Sequence, residues 1–149
     1  MTTIDAGRAR TPWHLWAVGL LGLLWNAYGG FDYFMSKTQG EAYYRQVGMT
    51  DAQIAHINAM PVWMTAVWAI GVWGALLGAL LLLLRQSLAA PVFIASLVAY
   101  VVSLVYSYLI APLPEMNTQS MMIMQGVILA GCLFFAVYAL VQAKAGVLR

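Results

Sequence analysis

From Trp13 onward the chain reads as four long apolar runs separated by short polar breaks. A bilayer core about 30 Å thick needs about 20 mostly apolar residues per helix. Four stretches meet that length: Trp13 to roughly Phe34, Pro61 to Leu84, Pro91 to Ala111, and Ser120 to Gln142. Pro61 and Pro91 suit a first helical turn, where the missing N–H is no loss. "APLP" at Ala111–Pro114 ends the third run, because proline cannot continue a helix. The break "RQSLAA" is short, which predicts an antiparallel hairpin of the second and third spans.

The break from Ser36 to Met60 is longer and carries helix-start signals. Thr38 with Glu41 and Thr50 with Gln53 each read as a capping box. They predict short helices near Gln39–Gln46 and Asp51–Ala59, parted at Gly48, with Tyr43, Tyr44, Ile54 and Ile57 suited to lie on a membrane surface. Arg8, Arg10, Arg85, Lys144 and Arg149 fall at one end of the four runs, against Lys37 and Arg45 at the other. This excess predicts that both termini face the cytoplasm. Arg8 and Arg10 followed by an apolar run and Ala27-Tyr28-Gly29 also fit a cleaved signal peptide, but the run is long for that and contains Trp25 and Asn26.

Composition agrees with the pattern. Hydrophobic residues make up 63% of the 149 and charged residues 8%, with mean hydropathy +0.80. Soluble domains run nearer 45–50% apolar and about 25% charged. A chain this short could not hide so much apolar surface from water, so lipid is its solvent. The expected fold is an all-α membrane protein of one domain, with four transmembrane helices and short helices in the first outer loop. The net charge of +2 comes without a basic run, which argues against nucleic acid as a partner. Cys132 stands alone, so there is neither a disulfide framework nor a CxxC pair.

The polar residues inside the runs are the candidates for chemistry. Counted from Trp13, the first span has its midpoint near Leu23 or Leu24, and Asp32 lies about 12–13 Å further on. That is just inside the outer boundary, where a carboxylate is expected to be interfacial or paired with Lys37 or Arg45. A carboxylate at the midplane would instead point to ion or proton coupling. Asn26 is deeper and needs a partner, since an unmet hydrogen bond in hydrocarbon costs several kcal/mol. Ser96, Tyr100, Ser103 and Ser107 recur at helical spacing on one face of the third span. Two readings follow. Either these groups hydrogen-bond between helices, or Asn26, Asp32, Tyr100 and Ser103 line a polar cavity for a small polar or cationic ligand.

Other features carry less. Gly74 and Gly78 form a GxxxG, with Gly71 and Ala75 as a similar pair, fitting close helix packing within the chain or a homodimer face. Outer-side methionines with His56 suggest Cu(I), but no cysteine joins them and Met also serves as a packing filler. His14 and His56 fall at opposite ends, which argues against bis-histidine haem. No HExxH, Walker A, GxSxG or dinucleotide motif occurs, and Asp32 with Glu115 is the sole candidate pair for an enzyme's carboxylates, with no spacing argument that joins them. The expectation is a non-enzyme without cofactor or metal.

"LLWNAYGGFDYFMSKTQGEAYY" (Leu23–Tyr44) and "WAIGVWGALLGALLLLLR" (Trp68–Arg85) resemble uncharacterised bacterial inner-membrane proteins of about this length, loosely called "sugar transporter". Trp25, Asn26, Asp32 and Tyr33 carry the most distinctive part of that resemblance. It implies the bacterial cytoplasmic membrane and a four-helix unit, with no established mechanism. Small multidrug resistance transporters also have four spans, but their essential acid lies deep in the first helix, unlike the depth counted for Asp32. The leading expectation for function is a non-catalytic accessory or structural subunit, packed in a larger membrane complex or as a homo-oligomer. The alternative is an oligomeric small-solute transporter.

Overall fold

The computed structural model describes residues 9–149; Arg8, used above for orientation, lies outside them. The described chain is all-helical. α1 (Trp13–Gln39) leads through α2 (Glu41–Gln46) and α3 (Asp51–Asn58) to α4 (Val62–Leu83), α5 (Ala89–Val105) and α6 (Gln119–Lys144). A π-helical turn, Tyr106–Ile110, extends α5, and a 3-10 turn, Pro114–Met116, precedes α6. Three helical stretches are long and apolar enough to cross a membrane: Val62–Leu83, Ala89–Ile110 and Gln119–Lys144. Their outward faces expose Leu77, Leu80, Val98, Val101, Ile123 and Val137. Such faces are compatible with a lipid surrounding.

Local chemistry sets the boundaries. Pro12 and Pro61 stand in extended backbone just before α1 and α4, and Thr118 caps α6 by accepting from the Met121 N–H. Thr50 and Gln53 make both bonds of a capping box at α3. Thr38 does not cap. It lies inside α1, its hydroxyl donating to the Phe34 carbonyl at 2.8 Å. α1 therefore runs past Phe34 to Gln39 and stops at Gly40, whose φ of 55° suits glycine far better than other residues.

α1, α4, α5 and α6 pack in chain order as neighbours. Along the α1–α4 pair, Gly19 meets Leu83, Gly30 meets Trp73, and Lys37 approaches Thr65. The two helices are antiparallel and lie side by side over nearly the whole length of α4. On the opposite side of α4, Gly71 faces Ala99, Gly74 faces Ser96 and Gly78 faces Phe93. The small-residue face of α4 is thus filled by α5 of the same chain.

The bundle is closed at one end and open at the other. At the closed end Leu15, Ala79, Leu82, Ala136 and Ala139 form a tightly buried cluster, in which alanines let the helices approach. Gly146 (φ 73°) turns the chain after α6 so that Val147 and Leu148 join this cluster. The segment is pinned by Arg149 N–H to Arg85 O and Ser87 N–H to Arg149 O. The other end is capped by α2, α3 and the 3-10 turn, with Tyr43, Tyr44 and Ile54 as a separate small core. Thr50 Oγ1 donates to Glu115 at 2.6 Å and Gln53 Nε2 to the Glu115 carbonyl at 3.1 Å, tying α3 to that turn.

Gly78 tests this packing. A Cβ there would lie 2.9 Å from the Phe93 ring, and that ring is 3% exposed and stacked on Phe135, so a methyl fits only if the stack shifts. Gly78→Ala is expected to destabilise the bundle by about 1–3 kcal/mol in thermal unfolding in detergent. Gly126→Ala, where a Cβ meets nothing within 4 Å, is expected to leave stability unchanged or slightly raised.

Candidate binding cavity

The contacts between α1 and α6 lie towards the closed end: Gly22 against Phe135, and His14 Nδ1 beside the Tyr138 hydroxyl at 2.5 Å. Further towards the cap the helices part, leaving a cavity of about 800 Å³ walled by α1, α4, α5 and α6. Trp25 and Tyr28 on α1 and Met124 on α6 line it while remaining exposed. It therefore opens sideways, between α1 and α6. Its floor includes Phe93 and Phe135, stacked with ring centroids 5.5 Å apart.

Asn26, Asp32, Tyr100 and Ser103 all line this one cavity, together with Ser96 and Ser107. Periodicity found the α5 stripe because side chains at i, i+4, i+7 and i+11 share a helix face. The partners differ from expectation. Asn26 Nδ2 donates to Gly22 O of its own helix at 2.8 Å, not to α5. Ser96 Oγ donates to Gly71 O at 2.6 Å, joining α5 to α4, and Ser103 Oγ donates back to Ala99 O at 3.2 Å. The Tyr100 hydroxyl donates to Gln125 on α6.

The placement of Asp32 is the main correction. Gly30 packs on Trp73, and the Tyr33 ring meets Trp68 at 4.7 Å. These contacts bracket Asp32 and set it level with the middle of α4, not near its end. Counting from Trp13 failed because α1 overruns the expected span by more than a turn, to Gly40, and is paired with α4 through its second half. Lys37 and Arg45 are not its partners. The Lys37 ammonium stands by Thr65 and over the Tyr33 and Trp68 rings, and Arg45 pairs with Asp51 at 2.8 Å. Asp32 Oδ1 instead accepts from the Tyr43 hydroxyl, 2.7 Å away on α2. Glu115, the other carboxylate of the expected pair, is held by Thr50 in the cap and does not line the cavity.

Among the cavity residues missed in the sequence are Gln125 and Cys132. Gln125 has the same signal as Asn26, an amide within an apolar run. Cys132 lines the cavity too, a position that no spacing argument reveals. No family model, no curated protein and no solved structure matches this chain.

Tyr43 reports on the cap. Its hydrogen bond to the Asp32 carboxylate, aided by burial, raises its pKa from 10.0 to about 12. The phenol is the form that the fold favours. Its contribution to stability is complete below pH 10 and is lost as pH rises through about 12. A difference ultraviolet titration of the wild type against Tyr43→Phe is expected to show one tyrosine ionising near pH 12. An ionisation near pH 10 would mean that the Tyr43–Asp32 bond is absent.

Proposed function

We propose that this protein is a small-solute transporter of the bacterial inner membrane with four spans. The observation that carries the reading is Asp32: a carboxylate level with the middle of α4 faces a cavity of about 800 Å³. Ionisable groups at such depth are costly and mark substrate or ion pathways. The volume falls in the range of small-molecule sites, about 300–1,000 Å³.

α1 is the fourth span. It carries more polar groups than the other three, but it lies antiparallel to α4 over almost its full length, so a bilayer that contains α4 contains α1. Thr11 and Arg149 lie near Arg85 at the closed end. Arg10, Arg85, Lys144 and Arg149 belong to that end and mark it as cytoplasmic. The cap of α2 and α3 then faces outward, and the cavity is closed towards the cytoplasm and open towards the membrane's outer half. A packing subunit of a larger assembly would use the glycine face of α4 as its contact surface. That face is occupied by α5, so transport becomes the favoured reading.

Cys132 is the only cysteine and lines the cavity, which makes it a native probe. In proteoliposomes, a small water-soluble maleimide is expected to label it at a measurable rate, because a transport cavity holds water. Asp32→Asn is expected to insert and assemble at wild-type yield. An unlabelled Cys132, or an Asp32→Asn protein that fails to assemble, would point to a packing role and overturn the reading.

A further inference from the structure

We infer that the solute is a protonated amine with an apolar body, bound through its N–H donors. The inference rests on the transport reading above and names its substrate class. Asp32 is the single charged residue among those lining the cavity, where no Lys, Arg or His appears. One of its oxygens accepts from Tyr43, and the other has no donor among the described residues. The net field in the cavity selects for a cation.

The hydrogen-bond inventory narrows the class. Asn26 uses one of its two amide N–H groups on Gly22 O and keeps its carbonyl oxygen as an acceptor. Ser96 and Ser103 donate to Gly71 O and Ala99 O, and Tyr100 donates to Gln125. Each of these hydroxyl oxygens retains a lone pair. The donors of these three hydroxyls are engaged and their acceptors remain, beside a half-free carboxylate. An ammonium group has only donors, so it matches this set. Ser107, Tyr28 and the indole N–H groups of Trp25 and Trp68 also line the cavity as donors, so it is the half-free Asp32 carboxylate, rather than any lack of donors, that favours an amine over a neutral sugar. A quaternary ammonium has no N–H to give. The indoles of Trp25 and Trp68 and the phenol ring of Tyr28 also line the cavity, and aromatic faces attract cations and cover an apolar body.

The test uses the full chain in proteoliposomes, with the rate of Cys132 alkylation as readout. Benzylammonium, benzyltrimethylammonium and glucose are each added as protectants. Benzylammonium is expected to slow labelling in a saturable way, with benzyltrimethylammonium about tenfold weaker and glucose without effect. Asp32→Asn is expected to weaken benzylammonium protection by about 10–100-fold, as losing a hydrogen bond to a charged group does. Equal protection by the trimethylated compound would overturn the N–H assignment. Protection by glucose alone, or by none of the three, would overturn the amine class while labelled Cys132 leaves the cavity reading standing. If Cys132 is not labelled at all, the transport reading itself fails, and the amine inference falls with it.

Discussion

A carboxylate in the second half of α1, level with the middle of its apolar neighbour α4, bears on much of the rest of this molecule. On the transport reading this carboxylate lies deep in a bilayer, where an acidic side chain costs about 2.5–3.5 kcal/mol even by the mildest scale. It is tolerated only with polar company. Here the company comes from three directions. Tyr43 reaches down from the cap to donate to Asp32, the serine and tyrosine stripe of α5 faces it across the cavity, and Gln125 and Asn26 add amides to the same space. Remove Asp32, and this concentration of polar groups in one sector of a greasy bundle loses its common purpose.

The two ends of the bundle follow from side-chain size. Towards the closed end, glycine and alanine face large apolar partners: Gly19 receives Leu83, Gly22 receives Phe135, and Gly78 receives Phe93. Each pair brings backbones close and leaves no room for a solute. Towards the cap, α1 presents Trp25, Tyr28 and Asp32 while α6 presents Met124 and Gln125. Nothing on α6 there is small and complementary to α1. A Cβ at Gly126 or Gly131 would meet nothing within 4 Å, so neither glycine seats a side chain of α1. The helices part because the packing that joins them lower down has no counterpart here.

Much of this was legible in the sequence. Long apolar runs and prolines located α4, α5 and α6 within a few residues, since those signals act locally. The cavity-lining face of α5 was legible as well, because a helix turns periodicity directly into a common direction. The depth of Asp32 was not. It depends on where α1 stops, which Gly40 decides rather than any change in hydropathy, and on the register with α4, which Gly30 and Tyr33 set by contact with Trp73 and Trp68. Thr38 was misread for the same reason, since a Thr-x-x-Glu spacing signals a cap only if the helix has already ended. Tyr43 as the partner of Asp32 requires the chain to reverse at Gly40, and no local pattern encodes that reversal.

The ends also differ in what it takes to rearrange them. Separating the closed end would expose Leu82, Phe93 and their alanine neighbours, and nothing but lipid or water could replace those shape-matched contacts. The open end is held by exchangeable bonds: a phenol on a carboxylate at Asp32, and a phenol on an amide between Tyr100 and Gln125. A hydrogen bond traded for an equivalent one changes the free energy little, because only the difference between the two counts, although a bond to a charged group such as Asp32 is itself worth about 1.5–3 kcal/mol. A ligand bringing its own donors can therefore displace Tyr43 from Asp32 at small net cost, while no ligand of that size can replace the packing around Phe93. On the transport reading, binding acts first on the cap and on the seam between α1 and α6, and the stacked floor of Phe93 and Phe135 is the higher barrier to passage.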